Sequence, residues 1–137
     1  MARRRLSHEG TLVLDSEGLS KLLADDERVA ALVSEARSRG MEVVISALTI
    51  IEAVHARTNM ARLNWLLSGL RVVPVGDEEA RGASKLLIGA GLHGHKYAID
   101  ATVAEAALRQ HRPVVMLTSD IDDMAKLCVD RVRLVAV

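Results

Sequence analysis

Four carboxylates, Asp15, Glu52, Asp100 and Asp120, are the side chains of this sequence whose types and spacing could do chemistry. Asp15 directly follows the short apolar run Thr11 to Leu14, and Asp120 follows the apolar run Val114 to Leu117 across the pair Thr118-Ser119. Asp100 opens an Ala-rich helical stretch, Ala101 to Gln110, which leads through a turn at His111, Arg112 and Pro113 into that second run. Glu52 lies one to two turns into a helical segment, SALTIIEAVHAR. Short apolar runs bounded by turn residues read as buried strands of a parallel sheet, and such sheets bind ligands outside the carboxyl ends of their strands. All four acids would face that edge. Carboxylates gathered there repel one another unless a cation joins them, and an all-oxygen ligand set suits Mg²⁺ or Mn²⁺ better than zinc.

Each acid also has a plain structural explanation. Asp15 and Asp120 stand where helix caps belong, with Asp123 able to reach back, and Asp100 sits where the helix dipole favours an acid. Thr49 and Glu52 have the T-x-x-E spacing of a capping box. Caps, however, are not confined to one edge of a sheet, whereas these four would share one; if strands one and four are neighbours across the point where the strand order reverses, Asp15 and Asp120 converge there, flanked by Glu52 and Asp100.

The elements that must position them read in order along the chain. After strand one, residues 16 to 24 form a short helix, and after the acidic turn Asp25-Asp26-Glu27 a second runs to Arg39, with Val29, Leu32, Val33 and Ala36 on one face and Gly40 as its stop. Val43 to Ile45 make strand two. The Glu52 helix and a helix over Met60 to Leu70 follow, the latter with Leu63, Leu66, Leu67 and Leu70 on one side. Strand three spans Val72, Val73 and Val75, and Pro74 within it predicts an edge position because proline has no N–H for a ladder. A helix over 77 to 90, a loop over 91 to 96, the Asp100 helix, strand four, a helix over Ile121 to Cys128 and an outer strand over Val132 to Val137 complete the chain. This alternation predicts right-handed crossovers and a parallel sheet covered on both faces.

Composition agrees with an α/β class. With 137 residues, half of them hydrophobic, the chain suffices for one domain over 11–137, behind a short basic tail over 1–10. No Phe, one Trp and one Tyr leave Leu, Val, Ile and Ala to build the core, and exclude an aromatic platform for stacked bases. The lone Cys128 excludes an internal disulfide and a cysteine zinc cluster, which fits a reducing cytoplasm. No apolar run reaches the roughly 20 residues that cross a bilayer, so no membrane partner is expected. Charge balances at 18 basic against 18 acidic residues, but setting the four candidate ligands aside leaves 18 against 14, so charge does not exclude nucleic acid.

The segments VLDSEGLS, TIIEAVHAR, AIDATVAEAAL and VVMLTSDIDDMAKL, in that order and spacing, resemble the PIN-domain nucleases, especially the VapC-like toxins of type II toxin-antitoxin pairs. The resemblance covers nearly the whole chain. It implies a three-layer α/β/α sandwich around a five-stranded parallel sheet in the order 3-2-1-4-5, and a metal-dependent endoribonuclease. Asp15, Glu52, Asp100 and Asp120 would then be the acidic quartet that ligates Mg²⁺ or Mn²⁺ and carries catalysis. Asp122 or Asp123 would be an auxiliary acid, and the Thr118 or Ser119 hydroxyl would help hold the site. An RNA substrate, a cognate antitoxin protein and a homodimer are implied by the resemblance alone. Metal-activated water would cut the RNA backbone to a 5′-phosphate and a 3′-hydroxyl. A PIN-fold protein that binds without cutting is the alternative, and a weakened acid set would favour it; here all four positions are filled.

Three other features bear on function. His93, His95 and Lys96 precede Asp100 closely enough to touch a phosphate near the metal, with a solvated basic loop as the equal alternative. Gly89, Gly91 and Gly94 spell G-x-G-x-x-G, a dinucleotide fingerprint with Asp120 on the ribose, but the motif needs a strand before Gly89 where ASKLLI reads as helix. Trp65 among its leucines makes either a partner face or ordinary core.

Overall fold

The computed structural model describes residues 9–137, so most of the expected basic tail lies outside the described residues. Its strands are β1 (Thr11–Leu14), β2 (Glu42–Ser46), β3 (Arg71–Val73), β4 (Val114–Thr118) and β5 (Arg133–Ala136). They form one sheet in the order β3-β2-β1-β4-β5, which the resemblance implies, with every pairing parallel, as the alternation of elements predicts. Seven helices connect them: α1 (Ser16–Leu23), α2 (Glu27–Ser38), α3 (Ala47–Ala53), α4 (Met60–Ser68), α5 (Asp77–Ala90), α6 (Gly94–Leu108) and α7 (Ile121–Cys128).

The layers follow from strand periodicity. Successive side chains alternate between sheet faces, so Leu12 and Leu14 pack with Leu19, Leu22, Val29, Val33 and Leu66 of α1, α2 and α4. Val13 points the other way, into a core with Ala83 of α5, Ala101, Ala104 and Ala107 of α6, and Met124 and Leu127 of α7. Alanines on the buried face of α6 let that helix lie close over β2 and β4. A sandwich without phenylalanine closes in this way, with small residues where helix meets sheet.

Helix starts are set by side-chain caps. The side chains of Asp15, Asp26, Ser46 and Asn59 accept backbone N–H groups of α1, α2, α3 and α4, from Gly18, Val29, Leu48 and Arg62. Ser46 is thus the cap of α3, and Thr49 and Glu52 lie inside the helix. The capping-box explanation of Glu52 is wrong for that reason. The same helix ends at Ala53, earlier than SALTIIEAVHAR suggested. Val54 is extended, and a turn follows in which the Thr58 hydroxyl accepts from His55 N–H at 2.9 Å and His55 Nδ1 accepts from Arg57 N–H at 3.1 Å.

Three further boundaries differ. β3 ends at Val73, before Pro74, although its edge position stands. The outer strand begins at Arg133 and ends at Ala136. The expected loop over 91 to 96 is half helix, because α6 begins at Gly94 and carries a kink at Tyr97 (φ −111°, ψ 16°). Asp100 therefore sits three residues beyond a kink inside α6 and does not open it. Ala83 to Ile88 belong to α5, so the glycine fingerprint lacks the strand it requires.

Candidate metal centre

The pairing of β1 with β4 brings the first and last acids together. Leu14 stands opposite Leu117, and Asp15 N–H continues the ladder to Leu117 O at 3.2 Å. Asp15 accordingly lies beside Thr118, the last residue of β4. It is 4% exposed, and its Oδ1 accepts Gly18 N–H at 3.0 Å. The fully buried Thr118 hydroxyl hydrogen-bonds the Asp15 carboxylate and accepts Asp120 N–H at 2.9 Å. Burial pushes the Asp15 carboxyl up, against the Thr118 hydroxyl and the Gly18 and Glu17 N–H groups, which lower it; nearby Asp120 adds to the rise. The same side chain is helix cap and candidate ligand.

Gly18 is the residue that inspection of the acids missed. A Cβ there would stand 3.2 Å from Leu117 O and 3.3 Å from Leu14 Cβ, so glycine lets α1 start hard against the sheet and aim its N–H at Asp15. The signal was visible as D-x-x-G at a strand-helix junction.

Asp100 reports the rest of the cluster. Its half-buried carboxyl is pushed from the ordinary 3.8 to about 6, first by burial and then by repulsion from Asp120, Glu52, Asp123 and Asp15. Every charge acting on it is a carboxylate. Among the described residues none of these five acids makes an ion pair. Asp120, at the start of α7, makes no cap bond with its side chain, so its carboxylate is not used up as a cap. It lines a cavity of about 300 Å³ with Ser119, Ile121, Asp122 and Asp123.

The four expected acids are thus neighbours, and of the two auxiliary acids Asp123 acts on Asp100 while Asp122 only lines the exposed cavity. Among the described residues, no three His, Cys, Asp or Glu side chains stand close enough to form a preassembled metal site. His93, His95 and Lys96 are exposed at the start of α6, where Lys96 Nζ lies 5.2 Å from the centre of the Tyr97 ring, and none of them acts on Asp100. The donor set fits a hard divalent ion: it is all oxygen, it is anionic, and one member is destabilised as an anion while the cluster has no counter-charge.

The family model for the PIN domain matches residues 12–128, a span that runs from β1 to the end of α7 and contains all four acids. The chain belongs to the PIN-domain family. This PIN domain is similar in fold to the solved VapBC2 of Rickettsia felis bound to a DNA fragment from its promoter, at TM-score 0.70 and 14% identity over 93% of this chain and 98% of that one. A toxin-antitoxin complex from Klebsiella pneumoniae follows at TM-score 0.66 and 15% identity, over 89% and 95% of the two chains. FitAcB from Neisseria gonorrhoeae gives TM-score 0.61 and 20% identity, over 90% and 96%. No curated protein matches the sequence. Among the described residues no helix of the PIN domain is long and apolar enough to cross a membrane.

Proposed function

We propose that this PIN domain is a Mg²⁺- or Mn²⁺-dependent endoribonuclease and the toxin of a toxin-antitoxin pair, acting in the cytoplasm and held in check by a cognate antitoxin. Membership of the PIN family supports a nuclease. The observation that carries the metal dependence is Asp100, whose carboxyl is raised to about 6 by burial and by four other acids and by no base. The similarity in fold to toxin-antitoxin complexes supports the partner.

Asp15, Glu52, Asp100 and Asp120 would hold the ion, with Asp123 beside them. Bound there, a divalent cation supplies charge for the scissile phosphate and an acidified water as nucleophile. The chain's own part is positioning. Thr118 and Gly18 fix Asp15, Thr118 also fixes the backbone at Asp120, and α6 carries Asp100 in a half-buried setting where it keeps a proton up to about pH 6 unless a cation replaces it. His93, His95 and Lys96 stay candidates for the flanking RNA, and Ser119, on the cavity wall, for a hydroxyl contact. A homodimer is part of the proposal.

The test is cleavage of a mixed RNA pool by the purified chain with Mg²⁺ or EDTA, beside Asp100→Asn purified identically. Discrete cuts that need Mg²⁺ and vanish in the variant are expected. An RNA pool left intact while Mg²⁺ still raises the melting temperature would replace the nuclease with a PIN-fold binding protein.

A further inference from the structure

The opposite end of the sheet carries an arginine pocket. The turn into β4 supplies Arg112, Pro113 and Val114, and the turn into β5 supplies Asp130, Arg131, Val132 and Arg133, around a cavity of about 560 Å³. In a parallel sheet these turns lie at the amino ends of the strands, the edge away from the acids. Other arginines near that edge are engaged: Arg39 pairs with Glu35 at 2.8 Å, Arg71 with Glu42 at 3.0 Å and Arg109 with Glu105 at 2.7 Å. Arg112, Arg131 and Arg133 have no ion pair or side-chain hydrogen bond among the described residues, and all three are exposed. Asp130 is the one acid in the wall, which leaves the pocket a net charge of about +2 if all four groups are ionised.

We infer that this arginine pocket is a phosphate-binding subsite for the single-stranded RNA flanking the cut. The inference rests on the ribonuclease reading above. Guanidinium groups present planar forks that match phosphate oxygens two at a time. Pro113, Val114 and Val132 add apolar wall beside them, suited to a ribose or base face. One strand length, about 15 Å for five residues, separates this edge from the acids. A flexible single strand bends over that distance, whereas duplex DNA stays stiff over about 150 base pairs and cannot follow both edges of so small a body. A zero net charge for the chain thus hides a division, with anionic groups at the reactive edge and unpaired cations at the far edge.

The test is fluorescence anisotropy with a labelled single-stranded RNA of about 30 nucleotides in EDTA, across a salt series, so that no cutting intervenes. For Arg112→Gln/Arg131→Gln/Arg133→Gln, affinity should fall and the slope of log K against log salt should become shallower by about 2, roughly 0.7 for each lost phosphate contact. Asp130→Asn should bind RNA more tightly than the parent, and since asparagine tolerates the left-handed backbone at 130 (φ 66°), that variant keeps its fold. A triple variant that binds like the parent, with an unchanged slope, overturns the inference, as does Asp130→Asn binding no more tightly. Duplex DNA held more tightly than RNA through the same arginines would also overturn it. The two readings fail separately: Mg²⁺-dependent cleavage with arginine-independent binding removes the subsite alone, and arginine-dependent binding without cleavage removes the nuclease alone.

Discussion

The Thr118 hydroxyl hydrogen-bonds the Asp15 carboxylate while accepting Asp120 N–H at 2.9 Å, so one buried side chain on β4 ties together the acid-bearing segments that follow β1 and β4. Neighbours of metal ligands that act in this way typically matter 10–100-fold for metal affinity or activity. Thr118→Val keeps the shape and removes the link. We expect cleavage and Mg²⁺ affinity to fall by about 10–100-fold, with a stability loss of about 1–3 kcal/mol from the polar groups left unpaired. Thr118→Ser should restore most of both. Cleavage rates and thermal melts of the two variants check this, and Thr118→Val cutting at the parent rate would remove Thr118 from the site.

Asp100→Asn separates the electrostatic role of the residue from its packing. Without a cation, the carboxylate is buried among Asp120, Glu52, Asp123 and Asp15 and costs stability. In EDTA at neutral pH, the variant should therefore melt above the parent. In Mg²⁺ the order should reverse, because only the parent gains from the ion. Loss of activity should be at least about a hundredfold, the scale seen when preorganised charge stabilisation is removed. Scanning calorimetry in both buffers decides it, and equal responses to Mg²⁺ would take Asp100 out of the centre.

Asp100 and Asp15 also set a pH dependence. Both carboxyls are raised in the folded protein, Asp100 from 3.8 to about 6. Between those two values the folded state holds protons that the unfolded state has released, so stability declines as pH rises. In EDTA the melting temperature should thus fall from pH 4 to pH 6 and level off above, apart from the titration of other groups, and Asp100→Asn should flatten the curve. Divalent affinity should climb over the same interval, because the cation competes with the Asp100 proton. Melts with and without Mg²⁺ at each pH test both halves, and a parent curve that rises through this interval would contradict the placement of Asp100.

On α4, Leu63 is 1% exposed and Trp65 is 69% exposed. Leu63→Ala should cost about 2–5 kcal/mol through the cavity it opens, whereas Trp65→Ala should stay within about 0.5 kcal/mol. The lone tryptophan gives a direct reading: its emission should be solvent-like and readily quenched by iodide. A blue-shifted, protected emission would mean that a second chain covers this face in solution.

Much of this PIN domain is legible in the sequence alone. The apolar runs Thr11 to Leu14, Val43 to Ile45 and Val114 to Leu117, bounded by turn residues, mark buried strands, and Asp15 marks the start of the first helix, whereas the caps Ser46 and Asn59 emerged only from the structure. Those signals are local, and local signals survive without knowledge of neighbours. The acid types at strand ends were legible for the same reason. What only the tertiary structure decided is set by contacts between residues distant in sequence. The Leu14–Leu117 register places Thr118 against Asp15, a relation across about a hundred residues that no local pattern encodes. The Tyr97 kink moves Asp100 off the end of its helix, and the convergence of five carboxylates shifts its proton affinity. The helical spacing marks Leu63, Leu66 and Leu70 as one face, but whether Trp65 joined the core was open until the packing of α4 left it exposed.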